Sequence, residues 1–105
     1  ALTVIDVNSG KFVAKRAPLE TYLKINLEAA QEVAKQIRLR NLSGIIIVDF
    51  INLDDAAATH ELLKDFRHHL SQDPIQTTLV DMTELQLVEV TRKKVRRPLH
   101  ESIKE

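Results

Sequence analysis

Gly44-Ile45-Ile46-Ile47-Val48-Asp49-Phe50 is the stretch whose reading decides the fold. Ile45 to Val48 are all β-branched, a class that loses side-chain freedom in a helix and packs well on a pleated surface. The run is apolar throughout and too short for a helix, so it reads as a strand over 45–50 with both faces covered. It closes on an acid, Asp49. A second run of the same kind, Leu2-Thr3-Val4-Ile5-Asp6-Val7, reads as a buried strand over 2–7 and also meets an aspartate, Asp6.

Between these runs the spacing predicts a long helix. Ala17-Pro18 opens it, because proline at the first helical position forfeits no hydrogen bond. Leu23, Leu27, Ala30, Ala34 and Ile37 form an apolar stripe spaced by three and four, and the helix runs to about Arg40. Asn41 and Gly44 supply stop signals. Asn8-Ser9-Gly10 turns the chain after the first strand, and Lys11 to Lys15 reads as a shorter strand paired with it as a hairpin. Downstream, Asp54 or Asp55 caps a second helix carrying Leu62, Leu63, Phe66 and Leu70, which ends at Ser71 to Pro74. Residues 77–81 and 86–91 read as two more strands. The order is ββαβαββ, an α/β (α+β) fold with a mixed sheet of about five strands and two helices. Helix crossovers favour parallel pairing and short β-to-β connections favour antiparallel pairing. Both helices need a surface to bury against, so they lie on the sheet, and its second face is left for another domain.

A chain of 105 residues supports one domain with one core. No apolar run approaches the roughly 20 residues of a membrane span, and the first apolar run carries Asp6, unlike a signal peptide. The absence of cysteine excludes disulfides and thiolate zinc sites, and fits a cytoplasmic location. Fifteen basic and fifteen acidic side chains cancel, which argues against a generally basic nucleic-acid binder. The distribution is uneven, however. Arg92, Lys93, Lys94, Arg96 and Arg97 crowd one window at the start of a basic, partly irregular tail over 92–105, while most acids fall between Asp49 and Glu89. The chain opens directly on a strand-like run with no initiator Met, as a piece of a larger polypeptide would.

Asp6 and Asp49 are the leading candidates for chemistry. Acids at strand ends sit at a sheet rim, where open α/β sheets bind ligands. Two of them on adjacent strands can share a divalent cation, and Mg²⁺ is commonly held by one or two carboxylates plus substrate phosphate. The alternative is that each acid only ends its strand and caps a turn. Asn8 lies two residues past Asp6, on the same side of an extended chain; it is either a turn residue or a partner for that acid, its cation or a phosphate. The basic window, with Arg38 and Arg40, can neutralise an RNA backbone or can simply be solvated. Three Phe and one Tyr provide no stacking platform, which argues against sequence-specific single-strand reading. His60, His68, His69 and His100 lack zinc spacing and read as surface residues. Asn26, beside the apolar stripe, needs partners if buried and reads as a pin for a strand or loop. No phosphate-binding glycine loop and no serine nucleophile elbow is present.

Several stretches together carry a family resemblance: Val4-Ile5-Asp6-Val7-Asn8-Ser9, Asn26-Leu27-Glu28-Ala29-Ala30, Gln36-Ile37-Arg38-Leu39-Arg40-Asn41-Leu42, Ile45-Ile46-Ile47-Val48-Asp49-Phe50-Ile51 and Leu87-Val88-Glu89-Val90-Thr91-Arg92-Lys93. In order and spacing they resemble the deoxyribonuclease-I-like catalytic subdomain of the ribonuclease E/G family, over nearly the whole chain. The resemblance implies an endoribonuclease that cuts single-stranded, often A/U-rich RNA to leave 5′-phosphate and 3′-hydroxyl ends, in RNA processing and decay. It implies that Asp6 and Asp49 bind Mg²⁺, for which Mn²⁺ can substitute. Asn8 would be the catalytic-site asparagine that orients nucleophile or phosphate, with a metal-activated water attacking the phosphodiester. It further implies single-stranded RNA and further copies of the same protein as partners. Members of the family carry an S1 RNA-binding domain before this region and a Cys-Pro-x-Cys zinc-sharing link after it, and the chain contains neither. They often carry Asp at the position of Asn52 and Gly at that of Gln86. Many have Arg at the position of Gln76, in the pocket that senses the RNA 5′-monophosphate. This chain departs at all three. The other readings are a noncatalytic α/β RNA-binding or receiver-like signalling module, and a relative that keeps the fold and binds RNA without cutting.

Overall fold

The structure is a computed structural model that describes residues 2–7 and 17–95. The expected turn at Asn8, the hairpin strand over 11–15, Arg96, Arg97 and His100 lie outside the described residues. The elements in chain order are β1 (Leu2–Asp6), α1 (Leu19–Leu39), β2 (Gly44–Asp49), α2 (Ala56–Leu70), β3 (Thr77–Met82) and β4 (Val88–Arg92). This is the mixed α/β domain expected, with four strands among the described residues.

The sheet order is β1-β2-β4-β3, with β1 and β2 parallel and the pairs β2–β4 and β3–β4 antiparallel. Both helices are crossovers between strands that point the same way: α1 joins β1 to β2, and α2 joins β2 to β3 across the inserted β4. Both crossovers advance in one direction across the sheet. With the usual right-handed connection they therefore fall on the same face, and α1 and α2 pack against each other there.

Local chemistry sets the boundaries. Pro18, expected as the first helical residue, stands instead at the N-cap of α1, and the helix begins one position later at Leu19. At the other end Asn41 takes a left-handed φ of 51°. The amides of Leu42 and Asn41 donate back to the carbonyls of Ile37 and Arg38. That double closure needs a residue tolerant of positive φ, and Asn is one of the few. Asp55 rather than Asp54 caps α2, its carboxylate accepting from the Ala58 amide at 2.8 Å. Asp54 instead sits at φ 50° in the loop before it.

The core lies between the sheet and the helices. Ile46, Val48, Val88 and Val90 of the two central strands are fully buried, as are Ala30 and Ile37 of α1 and Phe66 of α2. Phe50 meets Phe66 edge to face, with ring centroids 5.4 Å apart. The other sheet face is open among the described residues, the face that the sequence reading leaves for another domain. The alternate residues Leu2 and Val4 are 64% exposed and Ile45 is 43% exposed, so β1 and β2 are covered on one face only among the described residues. An apolar strand looks the same in sequence whether one face or both are packed; what covers the second face is not local information.

Candidate functional site: an acid pair at the carboxyl edge of the sheet

Asp6 and Asp49 are the last residues of β1 and β2, and they are register partners. The two strands are parallel, so both acids lie at the same edge. Partners across a parallel pair project to the same face. Ile46 and Val48 project into the core, which sends Ile45, Ile47 and Asp49 to the open face, and the partners Leu2, Val4 and Asp6 join them there. Neighbouring strands stand about 4.8 Å apart. An octahedral Mg²⁺ with ligands at about 2.1 Å needs adjacent oxygens roughly 3 Å apart. Two aspartates in direct register on neighbouring strands lie within reach of such a spacing. Asp6 is exposed and Asp49 half-buried. The ladder closes immediately beyond them, where the Val7 amide donates to the Asp49 carbonyl at 2.9 Å.

The donor set fits a hard cation that keeps open positions. It is two carboxylates. Among the described residues no group of three or more His, Asp or Glu side chains could hold an ion by itself. A dedicated all-protein cage would look different; a pair suits a cation that also binds a phosphate. Asn8 lies outside the described residues.

The chain just past Asp49 is fixed from the helix layer. Asn26 of α1 is fully buried. Its amide nitrogen donates to the Ile51 carbonyl at 2.8 Å, and its amide oxygen accepts from the Ile51 amide at 3.0 Å. This is the pin expected of a buried asparagine at that place.

The basic residues gather at the other end. Arg92 pairs with Gly44 at the start of β2, about 16 Å along the strand from Asp49; Lys93 and Lys94 follow it, and Arg38 and Arg40 stand on the last turn of α1 and its cap, just before β2. Lys93, Lys94 and Arg40 are exposed and Arg38 is half-buried. Arg92 is different. It is the last residue of β4, not the start of an irregular tail, and it is 4% exposed. Its Nε donates to Asp73 at 2.7 Å, and its Nη1 donates to Asn41 Oδ1 at 2.8 Å and to the Leu42 carbonyl at 2.9 Å. Its guanidinium is thus committed to the interior. Burial pushes the Asp73 carboxyl up, but hydrogen bonds from Arg92, the Ile75 amide and the Thr77 hydroxyl, with the Arg92 charge, outweigh it and hold the group below its ordinary value. Nothing in the sequence joins Arg92 to Asp73, which read as part of a helix-ending loop.

Two further acids share the open face. Glu89 sits opposite Ile47, diagonal to Asp49, and Asp81 is the partner of Glu89 across β3 and β4. The period-two pattern Val88-Glu89-Val90 could have placed Glu89 there. His60 and His68 are exposed. His69 lies 3.2 Å from Asp65 on its own helix.

A mixed sheet with two helices on one face thus carries two acids at its carboxyl rim, the edge at which open α/β sheets bind ligands. The sequence profile of the ribonuclease E/G family matches residues 1–95. The chain belongs to that family. It is 46% identical to ribonuclease E of Synechocystis sp. over 101 residues, covering 96% of this chain and 15% of that protein. A ribonuclease E/G-like protein of Pyropia yezoensis is 43% identical over 98% of this chain and 20% of its own length. Ribonuclease G of Escherichia coli K12 is 42% identical over 91% of this chain and 20% of its own length. The chain thus spans about a fifth or less of the relatives it matches.

Proposed function

We propose that this chain is the catalytic subdomain of a Mg²⁺-dependent endoribonuclease that hydrolyses single-stranded RNA to 5′-phosphate and 3′-hydroxyl ends. The observation that carries the reading is the direct register of Asp6 with Asp49 at one sheet rim. Membership of the ribonuclease E/G family supports the substrate and the reaction class. In this reading both carboxylates hold the cation and leave positions on it for a phosphate and water. The cation supplies charge neutralisation at the phosphodiester and a more acidic bound water. Asn8, two residues past Asp6, orients the nucleophile or the phosphate. Lys93, Lys94, Arg38 and Arg40 contact the backbone several nucleotides from the cut, a span within the footprint of single-strand binders. Arg92, bound to Asp73, is left out of that set and serves as a structural tie. RNA processing and decay, a cytoplasmic setting and self-association of the intact enzyme belong to the same reading. Among the described residues no helix is long and apolar enough to cross a membrane.

The receiver-like alternative asks for a regular βα alternation and a parallel sheet. The antiparallel β2–β4 and β3–β4 pairs run against it. The test is cleavage of a labelled single-stranded RNA by the intact protein with Mg²⁺. Asp6→Asn and Asp49→Asn should each lower the rate by about 100-fold or more, since a cation is worth several kcal/mol of transition-state stabilisation, while circular dichroism stays unchanged. Cleavage at the parent rate by either variant removes that residue from the site.

A further inference from the structure

We propose that Asn26 is a positioning residue for the Asp49 carboxylate, acting through the backbone of Ile51. The inference rests on the reading of Asp6 and Asp49 as cation ligands. Three observations carry it. Asn26 is 0% exposed, in a stripe otherwise made of Ala30, Val33, Ala34 and Ile37. Its amide spends both functions on one residue, donating to the Ile51 carbonyl and accepting from the Ile51 amide. Ile51 lies two residues beyond Asp49, just where β2 has run out of ladder partners and the chain turns toward α2.

The geometry explains why an amide is placed there. A strand that leaves a sheet inside the protein exposes its next N–H and C=O to an apolar interior, and each unmet group costs free energy. An asparagine side chain offers one donor and one acceptor in the arrangement of a neighbouring strand, so it adds one more rung where the sheet has none. Asp49 is thereby held on both sides. Before it, Val48 pairs with Ile5 and Val88; at it, the carbonyl accepts from the Val7 amide; after it, Asn26 fixes Ile51. With the backbone constrained at both ends, the direction of the Asp49 side chain is set before any cation arrives. Relaxing the clamp lets the segment from Phe50 to Leu53 shift, and Asp49 with it.

A purely structural amide would stabilise the fold and do nothing else, so the test separates the two roles. Mn²⁺ is titrated into the intact protein without RNA, and free Mn²⁺ is read by electron paramagnetic resonance at a temperature where every variant is folded. Asn26→Ser and Asn26→Asp, which each lose part of the clamp, should weaken Mn²⁺ binding about tenfold or more, the usual effect of removing a group that orients a ligand. Ile37→Val, a core change that also lowers stability on the same helix, should leave it unaltered. Two variants guard against one failing to fold. Unchanged Mn²⁺ affinity in both Asn26 variants, with Asp49→Asn losing binding, overturns this inference alone. Equal binding by Asp49→Asn and the parent overturns the cation reading and this inference with it.

Discussion

Replacing Asp73 by alanine strips the interior partner of Arg92. The carboxylate accepts from Arg92 Nε at 2.7 Å, from the Ile75 amide at 2.9 Å and from the Thr77 hydroxyl at 2.9 Å. The paired side chains of Arg92 and Asp73 are 2% and 4% exposed, so solvent does not substitute for the lost acid. Breaking one side of such a pair leaves a buried uncompensated charge and costs about 3–5 kcal/mol. The two remaining acceptors of Arg92, Asn41 and Leu42, place the expected value near the lower end. For a domain of this size about 3 kcal/mol lowers the melting temperature by roughly 12–24 °C. Urea unfolding at pH 7 measures it. The pH dependence adds an internal check. A carboxyl held below its ordinary value stabilises the fold above its unfolded-state value, about 3.9. That stabilisation is lost as pH falls through the lower folded-state value. The gap between parent and Asp73→Ala should therefore be full at pH 7 and close progressively below about pH 4. A cost under about 1 kcal/mol at pH 7, or a gap that widens in acid, refutes the picture of Arg92 as an internal tie and returns it to the RNA-facing set.

Other expectations follow from particular residues. Gln86 holds φ at 63° in the β3–β4 turn, so Gln86→Gly should stabilise by about 0.5–1 kcal/mol, read as a higher urea midpoint. Asn41→Gly, at a similar φ of 51°, should instead destabilise, because Asn41 Oδ1 accepts from Arg92. Asp55→Ala removes the α2 cap and should cost about 1 kcal/mol in the same assay. Lys93→Ala should reduce the slope of log affinity for single-stranded RNA against log salt by about 0.7, the value for one phosphate contact; no change removes Lys93 from the RNA path.

The runs that carry the fold were legible because their signals are local. The Ile45-to-Val48 stretch fixes a strand by composition, α1 shows its stripe, and Asp55, Asn41 and Ser71 mark helix ends by their own chemistry. Asp6 and Asp49 could be placed at strand ends from sequence, but their register could not. It depends on which strands lie side by side, and β4 inserts between β2 and β3 through contacts remote in the chain. Arg92 misled for the same reason. A basic residue in a basic window looks solvated, and the acid that buries it stands 19 positions away. Leu2 and Val4 looked like core because apolar character reports the wish to be covered, not the cover. Asn26 was readable as a pin, since a polar side chain in an apolar stripe must find partners, yet its partner Ile51 had no signature of its own.

Cation replacement tests the acid pair most directly. This stretch contains no cysteine of its own, and Asp49→Cys places a thiol where the hard carboxylate stood. A soft ligand disfavours Mg²⁺ and prefers thiophilic ions. If Asp49 grips the cation, the variant is inert toward single-stranded RNA with Mg²⁺ and regains cutting when Cd²⁺ is supplied, while the parent shows no such switch. Full activity of Asp49→Cys in Mg²⁺ alone would contradict the account.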